Sequence, residues 1–174
     1  ILFVILLTFR RLMLSLKEEV TYLNITLMGA LVRVKERNYL VPKQLRLDQF
    51  YTKPSIVEKV LSMIDCSKYE LVLEPSAGAG DFLERLPKAT RVGVDLEPAH
   101  PEVTQQDFFD YVPHLDTTNI LTIGNPPFGK NSSLAVRFFN HAASFSDCIA
   151  FIVPRTFRKA SLINRLNDNF HIVS

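Results

Sequence analysis

Residues 71–83 read Leu-Val-Leu-Glu-Pro-Ser-Ala-Gly-Ala-Gly-Asp-Phe-Leu, and this stretch decides the fold. An apolar run of strand length leads into a turn that holds Gly78 and Gly80, and a helix is predicted over 81–86. Glycine permits positive φ and close approach of a ligand to the backbone. The N–H groups at the start of a helix are unsatisfied donors beside a positive dipole end. The stretch therefore predicts a strand, a ligand-binding turn and a helix.

The Gly-x-Gly pattern alone fits a dinucleotide site and other nucleoside sites. The dinucleotide fingerprint has a third glycine where this chain has Leu83. Without a pyrophosphate to bind, a nucleoside ligand with a charged tail is the better fit.

Strand and helix patterns alternate along the rest of the chain. Strands are predicted near 70–74, 91–96, 103–106, 119–124 and 148–153, and helices near 54–65, 81–86, 132–144 and 157–167. This order predicts an α/β fold, a doubly wound and mostly parallel sheet with helices on both faces. Ligands bind at the carboxyl ends of such strands. Four polar residues lie at those ends, namely Glu74, Asp95, Asp107 and Asn125.

Two of these strand ends suit a nucleoside. Asp95 is placed to bind both ribose hydroxyls, although a surface acid before a turn would give the same pattern. Asp107 is placed to accept from an adenine amino group, with Phe108 packed on the ring. The alternative is that Phe108 and Phe109 both belong to the core, which is the better reading for Phe109.

The segment Asn125-Pro126-Pro127-Phe128, called the asparagine motif below, follows the apolar run 120–124. The two prolines stiffen it. The Asn125 side-chain oxygen and the Pro126 carbonyl can each accept one hydrogen of an –NH₂ group, and Phe128 can stack on the ring that carries it. A strand end followed by an ordinary turn is the alternative.

Together these residues resemble the amino-methyltransferase branch of the S-adenosylmethionine-dependent methyltransferases, closest to the N6-adenine methyltransferases of nucleic acids. The resemblance spans residues 49–153 and implies a Rossmann-like fold, S-adenosylmethionine as cofactor, and the asparagine motif as the catalytic segment. It implies cofactor contacts from Phe50, Thr52, Glu74, Pro75, Ser76, Ala77, Gly78, Gly80, Asp95, Leu96, Asp107 and Phe108. The chain departs from the family in lacking a target-recognition domain and the last strands of the usual sheet, which predicts a sheet truncated at its C-terminal end.

Polar residues after the last two predicted strands are candidates for substrate binding. Lys130 could meet a phosphate or simply be solvated, and Ser132 or Ser133 is predicted to cap the next helix. Arg155, with two further basic residues at 158 and 159, could track a nucleic-acid backbone or form a solvated helix start. Lys130, Ser133 and Arg155 are therefore the predicted substrate-binding residues.

Composition agrees with a globular enzyme. Of the 174 residues, 47% are hydrophobic and 22% charged, close to ordinary values. The net charge of +2 permits nucleic-acid binding without demanding it. Cys66 and Cys148 lack metal-ligand spacing and predict free thiols in a reducing compartment. We expect a protein of the cytoplasm, or one associated with the nucleoid or nucleus, with no metal and no membrane, and the oligomeric state stays open.

The N-terminus is set apart from the rest. The apolar run 1–7 is shorter than half a membrane span and has no preceding basic stretch. Residues 15–37 could form an amphipathic helix with Ser15 as its N-cap. We expect residues 1–40 to be an extension, helical in part, and 41–174 to be an incomplete catalytic domain.

Three functions are compatible with these features. The first is methyl transfer to the exocyclic amine of adenine in nucleic acid, with DNA favoured over RNA. The second is the same chemistry on RNA or on a protein glutamine amide, since the asparagine motif accepts any planar amine. The third is a non-catalytic subunit that keeps the fold, which the intact Asn125, Asp95 and glycine turn argue against.

Overall fold

The computed structural model describes residues 2–9 and 52–172. Its helices are α1 (Pro54–Leu61), α2 (Ser133–Ala142) and α3 (Ala160–Ile163). Its strands are β1 (Leu2–Phe9), β2 (Leu71–Glu74), β3 (Arg91–Asp95), β4 (Val103–Gln105), β5 (Ile120–Gly124), β6 (Cys148–Pro154) and β7 (Phe170–Ile172).

The strands form one sheet in the order β4-β3-β2-β5-β6-β1-β7. The five strands from β4 to β6 are parallel, as the alternating pattern predicted, and β1 pairs antiparallel with both β6 and β7. The chain moves outward from β2 through β3 to β4, then returns to the other side of β2 with β5. The strand order therefore reverses between β2 and β5, which is where doubly wound sheets bind ligands.

Both faces of the sheet are covered, because side chains on successive residues of a strand point to opposite faces. In β6, Ile149, Phe151 and Val153 pack in one apolar cluster, together with the buried face of α2. Cys148, Ala150 and Ile152 pack in a second cluster, together with the buried face of α1. The predicted α/β fold with helices on both faces is confirmed.

Helix α1 helps to fix the position of Thr52, which lies two residues before its first residue. Pro54 stands at its first position, where a missing N–H costs nothing, and the Lys53 carbonyl accepts from the N–H groups of Ile56 and Val57. Val57 and Val60 are fully buried against the sheet. Thr52 is thereby held at one end of an anchored helix.

The predicted helix after the glycine turn is only a single 3-10 turn, Leu83–Arg85, so the prediction of a helix over 81–86 was wrong. Gly80, Phe82 and Leu83 instead form tight turns that bury Phe82 and Leu83. The glycine turn is therefore not followed by the helix N-terminus, with its free N–H groups and positive dipole end, that the sequence predicted as a ligand contact. The last predicted helix is also shorter, with a 3-10 turn at Arg155–Arg158 before α3.

Strands β1 and β7 extend the sheet beyond β6, where the sequence predicted none. β1 lies alongside β6 from Leu2, opposite Pro154, to Thr8, opposite Cys148. Of the predicted N-terminal extension, residues 2–9 are described, and they form a strand. The helix predicted over 15–37 lies outside the described residues. Among those that are described, no helix has the length and apolar character of a membrane span.

Candidate functional site

The site lies where the strand order reverses. The glycine loop, defined here as residues 75–82, follows β2, and the asparagine motif follows the neighbouring strand β5. Ser76 donates its hydroxyl hydrogen to the backbone carbonyl of Asn125, with 3.3 Å between the oxygens. The two segments that the sequence singled out are therefore in direct contact, although 49 residues separate them along the chain.

The two glycines of the loop have different roles. Gly78 has a φ of +47°, and a Cβ atom there would come no closer than 3.9 Å to Asp95 Oδ2. Gly80 has a φ of +83°, and a Cβ atom there would lie 3.0 Å from the ring of His100. Gly80 therefore permits close packing of His100, whereas Gly78 is required for its positive φ more than for lack of room.

Asp95 holds the glycine loop to the end of β3. Its Oδ2 accepts from the Gly78 N–H at 2.8 Å, and its Oδ1 accepts from the Glu97 N–H at 2.8 Å. Each carboxylate oxygen has a second lone pair for a further donor. Asp95 is half-buried, so it can bind a ligand hydroxyl while it keeps the loop in place. The predicted cofactor residue Leu96 lies next to it and is 50% exposed.

Glu74 is buried beneath the glycine loop rather than turned toward open space. It is 3% exposed, and its Oε2 accepts from the Leu83 N–H at 2.8 Å. Burial raises the pKa of its carboxyl to about 8, because the charged form is poorly solvated there. Pro75 and Ala77 are buried as well. These three predicted cofactor residues therefore support the glycine loop from its buried side.

Thr52, in the segment before α1, is hydrogen-bonded to both the glycine loop and the asparagine motif. Its backbone N–H donates to Asp81 Oδ2 at 2.9 Å. Its hydroxyl oxygen accepts from Asn125 Nδ2 at 3.2 Å. Thr52 is 9% exposed, so both bonds form away from solvent. The predicted cofactor residue Phe50 lies outside the described residues.

The asparagine motif is fixed from both sides. Pro126 is buried and Pro127 half-buried. Phe128 is half-buried against the α2 face of the core, and its carbonyl accepts from the N–H groups of Leu134 and Ala135. The N-cap residue Ser132 makes no side-chain capping bond, so the predicted serine cap was wrong: the Phe128 carbonyl serves α2 instead. The start of α2 therefore holds the motif in place.

The pair Asp107-Phe108 does not have its predicted arrangement. Asp107 Oδ1 accepts from the Phe109 N–H at 2.9 Å, which caps a 3-10 turn. Phe108 is 2% exposed and packs against Phe138 and other rings of the core. Phe109 is half-buried, with the Arg137 guanidinium 4.5 Å from its ring centroid. Phe108 therefore belongs to the core and not to an open ligand surface, and Phe109 packs against the same core cluster, as in the alternative in which both rings are core.

The predicted substrate-binding residues lie after β5 and β6. Lys130 and Arg155 are exposed, and Ser133 is half-buried as the first residue of α2. Arg158 and Lys159 are also exposed and follow Arg155. Because β5 and β6 are parallel neighbours, their carboxyl ends meet at one edge of the sheet, and the segments that carry these cations begin at that edge.

Two residues of the site were missed by the sequence reading. Asp81 was assigned to a helix start, whereas it binds Thr52, and no pattern around it signals that contact. Gly93 lies inside β3, where a Cβ would come within 3.2 Å of Ala77, Leu83 and Val103. A glycine inside a strand marks close approach of another segment, so Gly93 was a usable signal for the packed loop.

The chain matches no protein-family model and no curated protein. What the site can do therefore follows from its own geometry.

Proposed function

We propose that the protein is an S-adenosylmethionine-dependent methyltransferase that modifies the exocyclic amine of adenine in nucleic acid. One observation carries the proposal: hydrogen bonds join the glycine loop and the asparagine motif through Thr52 and Ser76. A nucleoside-type loop and a stiff amine-accepting segment thus lie side by side at the reversal point of the sheet. Methyl transfer to an amine needs both, one for the donor and one for the acceptor.

The loop residues fit the cofactor. Gly78 has a positive φ and no Cβ atom, which lets a nucleoside approach the backbone there. The carboxylate of Asp95, which accepts from the Gly78 N–H, has remaining lone pairs for two ribose hydroxyls. When bound, the cofactor supplies an electrophilic methyl group on a sulfonium.

The asparagine motif supplies acceptors for the amine. The exocyclic nitrogen of adenine is a poor nucleophile, because its lone pair is delocalised into the ring. Hydrogen bonds from its two N–H groups to Asn125 Oδ1 and the Pro126 carbonyl would draw electron density back to nitrogen and favour a pyramidal geometry. Stabilisation of this kind acts on the transition state more than on the ground state. No strong base is needed: as the N–CH₃ bond forms and the S–CH₃ bond breaks, with S-adenosylhomocysteine as the leaving group, the nitrogen would become cationic and its proton acidic enough to pass to water.

Access to Asn125 adds a step to this mechanism. Its Oδ1 atom is shielded from solvent in this structure. An amine therefore reaches it only after the covering residues move, and a base in a duplex must also leave its stack. Both steps make substrate entry a separate event from methyl transfer.

The charged edge of the sheet supports nucleic acid as the substrate. Lys130, Arg155 and Lys159 are exposed cations in the segments that follow β5 and β6, and the asparagine motif lies in the segment after β5. Cations in such an edge can neutralise backbone phosphates on either side of an extruded base. A glutamine amide in a protein would use the same acceptors but would gain nothing from these charges.

A substrate panel tests the proposal. The purified chain is incubated with methyl-tritiated S-adenosylmethionine and, separately, with single-stranded DNA, duplex DNA, RNA and protein extract. We expect label in nucleic acid, recovered as N6-methyladenine after digestion, and none when adenine is replaced by purine, which lacks the amine. Label in protein alone would show that the substrate is a glutamine amide and not nucleic acid. Absence of label together with absence of S-adenosylhomocysteine binding would reject the enzyme.

A further inference from the structure

The hydroxyl of Thr52 is the feature of the site that the proposed mechanism does not yet use. The family resemblance assigns Thr52 to the cofactor, yet its two hydrogen bonds in the structure go to Asp81 and Asn125. Asp81 lies in the glycine loop, after β2, and Asn125 lies in the asparagine motif, after β5. Thr52 is thus the point at which a third segment of the chain contacts both loops.

The position of Thr52 is fixed independently of any ligand. It lies two residues before α1, whose Val57 and Val60 are fully buried. Its N–H is bound by the Asp81 carboxylate at 2.9 Å. A hydroxyl anchored by a helix on one side and by the glycine loop on the other is a rigid reference for whatever it contacts.

The hydroxyl contacts the side-chain amide of Asn125, whose direction has to be fixed by a neighbouring group. The terminal torsion of an asparagine side chain has broad energy wells, so packing alone defines the direction of the amide poorly. One end of the amide is an acceptor and the other is a pair of donors. An amine substrate requires the acceptor end, and the reversed amide would present N–H groups to N–H groups.

We infer that Thr52 is a positioning residue that holds the side-chain amide of Asn125 in the orientation seen in the structure, with Nδ2 toward Thr52. Its hydroxyl oxygen accepts from Nδ2 at 3.2 Å, so Oδ1 lies at the opposite end of the amide. Through the Asp81 bond, the same residue ties that orientation to the shape of the glycine loop. This inference rests on the proposed function for its effect on turnover, but the hydrogen bond itself can be tested without activity.

The experiment compares Thr52→Val, which keeps the shape and removes the hydroxyl, with Thr52→Ser, which keeps the hydroxyl. Thr90→Val is the matched control, because the Thr90 hydroxyl contacts only the Pro87 carbonyl among the bonds described and lies at the other end of the sheet. We expect Thr52→Val to lower kcat roughly 10–100-fold, by analogy with the range measured for residues that orient metal ligands. S-adenosylhomocysteine affinity should stay close to that of the wild type, and Tm should fall only modestly, because Asn125 Nδ2 loses one acceptor. Thr52→Ser should recover most of kcat.

A second readout is independent of turnover. The side-chain amide signal of Asn125 in a ¹⁵N–¹H spectrum is identified by its loss in Asn125→Ala. We expect this signal to shift and to exchange faster with solvent in Thr52→Val, and to stay in place in Thr52→Ser and Thr90→Val. An unchanged signal in Thr52→Val overturns the inference. If the wild type transfers no methyl group, the proposed function fails, and the amide signal still decides the role of Thr52.

Discussion

At the residue scale, Glu74 shows how the site is built on a buried acid. Its carboxyl lies under the glycine loop and accepts from the Leu83 N–H, and burial raises its pKa to about 8. An unfolded chain has this group at its ordinary value of 4.5. The folded state therefore holds a proton on Glu74 that the unfolded state releases between these two values.

Stability is expected to fall as pH rises through that window. The contribution of protonated Glu74 is complete below about pH 4.5 and is lost as pH approaches 8, by at most about 1.4 kcal/mol per pH unit. Glu74→Gln, a neutral side chain that can still accept from Leu83, should remove this decline. Denaturant unfolding of both proteins across the window measures the difference. Parallel pH profiles for the two proteins would show that Glu74 is ionised in the folded state.

Single residues also mark the limit of sequence reading at this scale. The strand-end positions of Asp95 and Asn125 follow from alternation alone, and both contact the loops of the site. The depth of Phe108 could not be predicted in the same way. Phe108 and Phe109 are both large and apolar, and both pack with the core, but the 3-10 turn that holds them buries Phe108 almost completely and leaves Phe109 half-buried.

At the element scale, the segment between the asparagine motif and α2 is under local strain. Gly129, Asn131 and Ser132 all have positive φ, at 65°, 53° and 59°. Two of these residues are not glycine, and such conformations persist only where neighbouring structure imposes them. Here the Phe128 carbonyl takes the first N–H groups of α2, which forces the chain to turn back tightly. No local pattern in Gly-Lys-Asn-Ser announces that turn, so the sequence predicted a serine cap.

Gly129→Ala tests the tightness of this turn. A Cβ atom there would lie 2.8 Å from Leu134 Cβ, at a φ that disfavours any side chain. We expect a loss of about 1–3 kcal/mol in the free energy of unfolding. Lys130→Ala is the control, because Lys130 is the exposed neighbour. Equal stability of the two variants in denaturant unfolding would mean that the turn is not constrained as described.

At the scale of the whole molecule, the sheet is completed from both ends of the described chain. The five parallel strands could be predicted from alternation, because each is an apolar run followed by a turn or helix. The place of β1 could not, since hydropathy records that residues 2–9 are apolar but not which strands they pair with. β7 has only three residues, too few for a pattern. The chain thus forms a wider sheet than its central motifs implied.

Leu7→Pro tests whether β1 is an integral strand. Leu7 is paired with Ile149 of β6 on one side and Ile172 of β7 on the other. Whichever side its N–H faces, proline removes a donor from the ladder and leaves a carbonyl unsatisfied, at a cost of about 1–3 kcal/mol or more. Leu2→Pro, at the first residue of the strand, should cost less. An unchanged Tm of Leu7→Pro would contradict the pairing of β1 with β6 and β7.

The most direct test of the central claim is methyl transfer by Asn125→Ala, measured beside its affinity for S-adenosylhomocysteine. Asn164→Ala, an exposed asparagine after α3, is the matched control. Removing one positioned hydrogen-bonding group from a transition state typically costs about 3–4 kcal/mol, so we predict a fall in kcat of about 10²–10³-fold. Titration calorimetry should give an affinity close to that of the wild type. Wild-type turnover by Asn125→Ala would contradict the account, because the asparagine motif would then have no part in the reaction.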